Sequence, residues 1–287
     1  MSGVEVPEWQ EVAGGFVFPE APRWFDGALW LSDIHAHTVC RVDARGEVRV
    51  VARLDDRPSG LGFLPDGTPL VVSMIDRRLL RITPSGVREH ADLRDHCDGF
   101  LNDMVVDNRG VAYVGARNRA GEQPRDTIVR VSRDGEVSIA APHMQSPNGS
   151  VVTPDGAMLI VAETSLATLT SFAIAADGAL HDRQVWAHVP GAHPDGICVD
   201  DDGAIWFGSP VNHEFVRVQR GGEVTHRWPT SPHWAIACAI GGPDHRTLYG
   251  LVGRNSVENI VGLGDERERD GASDANGSVL ARRLPLL

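Results

Sequence analysis

Four oxygen-bearing residues, Glu20, Asn102, Asn148 and Asp195, each stand seven or eight residues ahead of the last residue of a turn signal. Glu20 precedes Phe25-Asp26-Gly27, and Asn102 precedes Asp107-Asn108-Arg109-Gly110. Asn148 precedes Pro154-Asp155-Gly156, and Asp195 precedes Asp201-Asp202-Gly203. Two carboxylates and two carboxamides form an all-oxygen donor set, which suits a hard divalent cation. Carboxylates forced together repel and raise one another's pKa, and a bound cation relieves this. With an M²⁺ ion between them, the formal charge of the set is near zero. Calcium matches such donors best, and zinc, manganese or iron(II) are the alternatives. The same residues in a wet channel that holds no ion are the plainer reading. The contexts Pro147-Asn148-Gly149 and Pro194-Asp195-Gly196 weigh against it.

Residues brought together from such distant parts of a chain need a repeating scaffold. The glycines Gly27, Gly67, Gly110, Gly156 and Gly203 recur every 40 to 47 residues, and a sixth copy, Pro243-Asp244-His245-Arg246, carries Arg in place of Gly. Each turn leads into a short β-rich run such as Leu29-Trp30-Leu31 or Ile205-Trp206-Phe207. A third run follows with alternating polarity, as in Val39-Cys40-Arg41-Val42 and Phe215-Val216-Arg217-Val218; this is the pattern of half-exposed strands. A second turn and a fourth run complete each unit. Six units of four strands predict an all-β fold, a six-bladed β-propeller with four antiparallel strands per blade and almost no helix. The whole chain, 1–287, is expected to form this single domain. Gln10 to Val17 is expected to lend a strand to the last blade, because an open ring would expose strand edges. Ser278 to Leu284 reads as the final strand, and charge-rich Val257 to Asn276 as a solvated loop.

In a propeller the innermost strands line an axial channel. The six residues at one height are then Glu20, Ser59, Asn102, Asn148, Asp195 and Cys238. Arg117, Asn118 and Trp234 are expected to overhang the mouth and touch substrate, with His233 beside Trp234. His35 and His37 are weaker candidates, Met74 reads as core, and Glu163 ends a strand near Asn148.

Composition narrows the function. Lys+Arg 27 against Asp+Glu 39 gives a net charge of −12, which argues against nucleic acid or an anionic membrane as partner. Four scattered cysteines, Cys40, Cys97, Cys198 and Cys238, form no CxxC pair and no disulfide framework. Cys40 and Cys198 lie in apolar runs and read as small core residues. No apolar run is long enough to span a bilayer, and the first eleven residues lack the marks of a signal peptide. The expected location is the cytoplasm, as monomer or homodimer. There is no Gly-x-Ser-x-Gly elbow of a serine hydrolase.

The stretches Pro19-Glu20-Ala21-Pro22-Arg23-Trp24, Leu101-Asn102-Asp103, Ser146-Pro147-Asn148-Gly149 and His193-Pro194-Asp195-Gly196 resemble the senescence-marker-protein/gluconolactonase (regucalcin-like) family of six-bladed propeller lactonases. The resemblance runs from about Gly14 to about Leu251. It implies that Glu20, Asn148 and Asp195 bind one divalent metal. Asn102 would bind the metal directly, or contact its water or the substrate. It also implies that the cation polarises a lactone carbonyl while Asp195 serves as general base to the attacking water. Two departures stand out. Pro19-Glu20-Ala21-Pro22 replaces the family's Gly-Glu-Gly-Pro, and Phe100 stands where sugar-lactone enzymes carry Arg. Phe100 implies a substrate less polar than a simple sugar lactone. A phosphotriesterase-like hydrolase using the same ligands is one alternative. A non-catalytic, ligand-binding propeller is another.

Overall fold

A computed structural model describes residues 8–118, 125–254 and 275–285. The chain enters through β1 (Gln10–Phe16). Blade one is β2 (Pro19–Phe25), β3 (Ala28–Asp33), β4 (Thr38–Val42) and β5 (Val48–Arg53). Blade two is β6 (Pro58–Phe63), β7 (Pro69–Ser73), β8 (Arg78–Thr83) and β9 (Gly86–Asp92). Blade three is β10 (Phe100–Val106), β11 (Ala112–Arg117), β12 (Asp126–Val131) and β13 (Val137–Met144). Blade four is β14 (Pro147–Val152), β15 (Met158–Glu163), β16 (Thr168–Ile174) and β17 (Leu180–His188). Blade five is β18 (Ile197–Val199), β19 (Ile205–Ser209), β20 (Glu214–Val218) and β21 (Val224–Pro229). Blade six takes β22 (Trp234–Gly241), β23 (Thr247–Gly253) and β24 (Gly277–Arg283), and β1 completes it.

These are six antiparallel four-stranded sheets in a ring, the expected six-bladed propeller. The expected closure also holds, since β1 pairs with β24 from Gln10↔Ala281 to Phe16↔Gly277. Trp24 of blade one stacks on Tyr249 of blade six at 5.3 Å between ring centres. First and last blades are thus joined by backbone and by side chains. Among the described residues the only helical pieces are three single 3₁₀ turns, Arg94–His96, Thr164–Leu166 and Pro210–Asn212. No described helix is long and apolar enough to cross a membrane. The charge-rich stretch expected as a solvated loop lies outside the described residues up to residue 274.

Local chemistry explains the regular turns. Asp107 accepts the N–H groups of Arg109 and Val111, and Asp200 those of Asp202 and Ala204. Such Asx turns then need a residue with positive φ, supplied by Gly110 (φ 89°) and Gly203 (φ 76°). The core lies between neighbouring blades, where Leu31, Val72, Val114, Ile160, Phe207 and Leu251 are all buried. Met74, Cys40 and Cys198 join it, as their apolar surroundings suggested.

Candidate active site

Five of the six innermost strands break register where they reach the channel mouth, while β18 pairs with β19 without a shift. The shift follows Glu20 in β2, and in β6, β10 and β14 it spans Ser59, Asn102 and Asn148. A bulge re-aims a side chain that a regular strand would place along the pleat. Neighbouring strands approach closely at the same level. Gly149 N–H donates to Asp195 O at 3.1 Å, and Gly196 N–H donates to Ile236 O at 3.1 Å. The residue after Asn148 thus bonds to Asp195, and the residue after Asp195 bonds to Ile236.

That stepping corrects one expectation. The sixth position of the ring is Ile236, fully buried, and not Cys238. His245, with φ 53°, takes the left-handed turn position assigned to Arg246. The strand also carries one residue more before this turn, so a count back from Arg246 lands two residues late. The ring is therefore polar on blades one to five and apolar on blade six.

Three carboxyl groups are buried here: Glu20, Asp103 and Asp195. Burial pushes the Glu20 carboxyl well above its ordinary value, and the negative Asp195 and Asp103 push it further. Asp195 is raised to about 7 by burial and then by Asp103, with the Asn148 amide pulling the other way. Burial also raises Asp103, against the pull of Arg23. The Arg23 guanidinium reaches from blade one to blade three, with Nη2 3.1 Å from Asp103 Oδ1 and 2.5 Å from Met104 O. Asp103 Oδ1 also accepts the Met104 N–H. Glu20 Oε2 accepts the Ala21 N–H at 2.9 Å. Asp195 Oδ1 is buried with no hydrogen-bond partner.

The carboxamides are tied by their nitrogen ends. Asn102 Nδ2 donates to Pro147 O at 3.2 Å, and Asn148 Nδ2 lies 3.4 Å from Thr164 Oγ1. Thr164 in turn donates to Pro194 O at 2.8 Å, which links Asn148 to the segment carrying Asp195. Among the described residues neither side-chain oxygen accepts a hydrogen bond. Excess negative charge, an orphaned carboxylate oxygen and two amide oxygens fit a hard cation. Among the described residues no three His, Cys, Asp or Glu side chains are grouped to hold a metal by themselves. A metal at this mouth therefore draws on the asparagines.

The remaining candidates are placed as follows. Phe100 pairs with Arg117 across β10 and β11, and the Arg117 guanidinium sits 5.8 Å over its ring. Arg117 is also ion-paired to Asp126 at 3.1 Å. Asn118 is committed to its own loop: Oδ1 accepts the Asp98 N–H and Nδ2 donates to Arg125 O. Trp234 is buried in the core cluster that includes Ile236 and Leu251, and its neighbour His233 accepts from His213 and Thr230 through its carbonyl. His35 packs edge-on against Phe18, and burial lowers its pKa. His37 takes a positive φ of 56° at a strand connection. Glu163 is fully engaged in the scaffold, accepting from Gln145 N–H, Thr170 and Arg183. The Arg23–Asp103 pair and Thr164 were not singled out as site residues from the sequence. The Leu101-Asn102-Asp103 run was the available signal for the first, and Thr164 left none.

A six-bladed propeller whose axial mouth gathers buried carboxylates and carboxamides defines a class of protein. The profile described as SMP-30/Gluconolactonase/LRE-like region matches residues 18–251, so the chain belongs to that family. It is 26% identical over 194 residues to diisopropyl-fluorophosphatase of Loligo vulgaris, covering 58% of this chain and 61% of that protein. The chain therefore spans less than two thirds of that relative's length. Among solved structures, a gluconolactonase from Xanthomonas campestris superposes with a TM-score of 0.74 at 21% identity, over 97% of this chain and 90% of that one. Regucalcin from Agrobacterium tumefaciens, described as a calcium-binding protein, gives 0.75 at 20% identity over 95% of both chains. At these identities the superpositions speak for the fold.

Proposed function

We propose that this protein is a divalent-metal-dependent hydrolase that opens a lactone ring at the axial mouth. The observation that carries the reading is Asp195: a buried carboxyl raised to about 7, with one oxygen unpartnered, beside Glu20, Asp103 and the Asn148 amide. Glu20, Asn148 and Asp195 would hold the ion, with Asn102 as a fourth ligand or one water away. Calcium suits these donors best, and the calcium-binding description of the Agrobacterium neighbour supports that choice. When bound, the cation supplies Lewis-acid polarisation of the ester carbonyl.

The side chains do the rest. Asp195 takes a proton from a water as that water adds to the carbonyl carbon. The ring C–O bond breaks and the released alkoxide takes up a proton, so that lactone and water give one hydroxy acid. Arg23 opposes the burial penalty on the Asp103 carboxylate and maintains the negative field at the mouth. Thr164 ties Asn148 to the Asp195 segment.

Titrating kcat with metal tests the two carboxylates separately. General-base catalysis contributes about 10² to 10⁴-fold. Asp195→Asn keeps an oxygen ligand but has no proton acceptor, so its kcat stays lower by about that factor at saturating metal. Glu20→Gln loses only a ligand charge, and added metal restores most of its activity. Recovery of near wild-type kcat by Asp195→Asn would remove Asp195 as base and turn attention to Asp103.

Phe100 gives the substrate an apolar contact, with the Arg117 guanidinium on the ring. A Phe100→Arg variant is expected to lose turnover on alkyl lactones relative to sugar lactones. Equal changes on both classes would show that Phe100 does not set the preference. The match to diisopropyl-fluorophosphatase favours a second reading, hydrolysis of an activated phosphoester or phosphorofluoridate at the same residues. A phosphotriester panel run beside the lactones separates the two.

A further inference from the structure

The contact between blades five and six holds two thiols. Cys198 Sγ and Cys238 Sγ are 3.5 Å apart, and both residues are buried. Their approach follows from the strands. Gly196 N–H bonds to Ile236 O, and Cys198 and Cys238 each lie two residues further along. Gly196 permits this spacing, since a Cβ there would stand 2.2 Å from Ala237 Cβ. The other two cysteines make different contacts: Cys40 Sγ meets Thr38 Oγ1, and Cys97 Sγ meets the carbonyls of Phe100 and Arg117. Cys238 Sγ also lies 3.8 Å from Gly196 O, next in sequence to Asp195.

We infer that Cys198 and Cys238 are a disulfide-forming pair, linked across blades five and six by a small two-electron oxidant such as hydrogen peroxide. One thiolate attacks a peroxide oxygen, the O–O bond breaks, and a sulfenic acid and water result. The second thiol attacks that sulfur, the S–O bond breaks, and another water leaves. Two thiols and one peroxide thus give one disulfide and two waters. Cys198, at 9% exposure, is the more open of the two to such a molecule. Burial and the adjacent Cys238 hold its thiol well above the ordinary range, so the attacking thiolate is scarce and the pair answers to sustained oxidation.

The bond has two consequences. It closes a loop of 40 residues, which raises thermal stability. It also draws the sulfurs from 3.5 Å to about 2.05 Å, pulling the backbone three residues after Asp195 toward blade six. The second consequence rests on the metal-site reading above, whereas the bond itself does not.

The test exposes folded wild-type protein to hydrogen peroxide, then denatures and alkylates it. Reduced protein should take up four alkyl groups and oxidised protein two, with a mass lower by two hydrogens before alkylation. Peptide mapping should find Cys198 joined to Cys238, with Cys40 and Cys97 alkylated, and dithiothreitol should reverse the change. Cys198→Ala should retain three alkylated cysteines after the same treatment. Four alkylated cysteines in oxidised wild type, or oxygen added to single cysteines with no cross-link, would overturn the pair. Calcium affinity of the two forms is then measured by calorimetry, and a several-fold loss on oxidation is expected. A cross-link with unchanged affinity would overturn the coupling to Asp195. Absence of calcium binding in the reduced form would instead count against the metal site, leaving the disulfide established.

Discussion

At the scale of residues, the mouth is a place where carboxyl groups are kept against their preference. Burial and the Asp103 charge raise the Asp195 carboxyl to about 7, far above an ordinary aspartate at about 3.9. A raised folded-state pKa means that the folded protein holds the proton more tightly than the unfolded chain. The resulting stabilisation is complete below the ordinary value and is lost as pH rises through about 7. Metal-free protein should therefore lose thermal stability between about pH 4 and about pH 7. On the proposed function calcium binds the ionised form, and it should then restore more stability at the upper end of that range. In Asp195→Asn the slope for the chelated protein should flatten. A melting temperature independent of pH in chelated wild type would show that the carboxyl is not held this way. Thermal melts in chelator at several pH values make the measurement.

At the scale of elements, the site depends on innermost segments of neighbouring blades that approach closely. Gly196 is the clearest case, because a methyl group there meets Ala237 Cβ at 2.2 Å and Cα at 2.7 Å. Gly196→Ala should cost about 1–3 kcal/mol, as over-packing does, and should weaken calcium binding by displacing Asp195. Gly203→Ala, in an open turn with φ 76°, should also lose stability yet leave calcium affinity unchanged. Calorimetry of both variants compares them, and an unaltered affinity in Gly196→Ala would contradict the coupling. The turn period made the blades readable in the sequence, because Asx-Gly turns recur with the repeat, and the closing strand followed from the need to cover the open edges of the ring. Ile236 was missed because the last turn uses His245 for a position held by Gly elsewhere. The Arg23–Asp103 pair spans 80 residues across the channel, beyond any local pattern. Asn118 looked free in the sequence, but its amide satisfies loop backbone groups.

At the scale of the whole molecule, the ring is what makes a site from residues so far apart. Blades one, three, four and five contribute Glu20, Asn102, Asn148 and Asp195, and β1 closes the circle that joins these blades. The net charge of −12 favours accumulation of cations around the protein. On the proposed function, a divalent cation in this mouth enables hydrolysis of a lactone. The most direct test strips the protein with chelator and follows hydrolysis of an alkyl lactone as calcium is returned. Activity should be absent after chelation and rise to a plateau as about one ion per chain is bound. Full activity in the stripped protein, or none after calcium, zinc, manganese and iron(II) are each returned, would contradict the account.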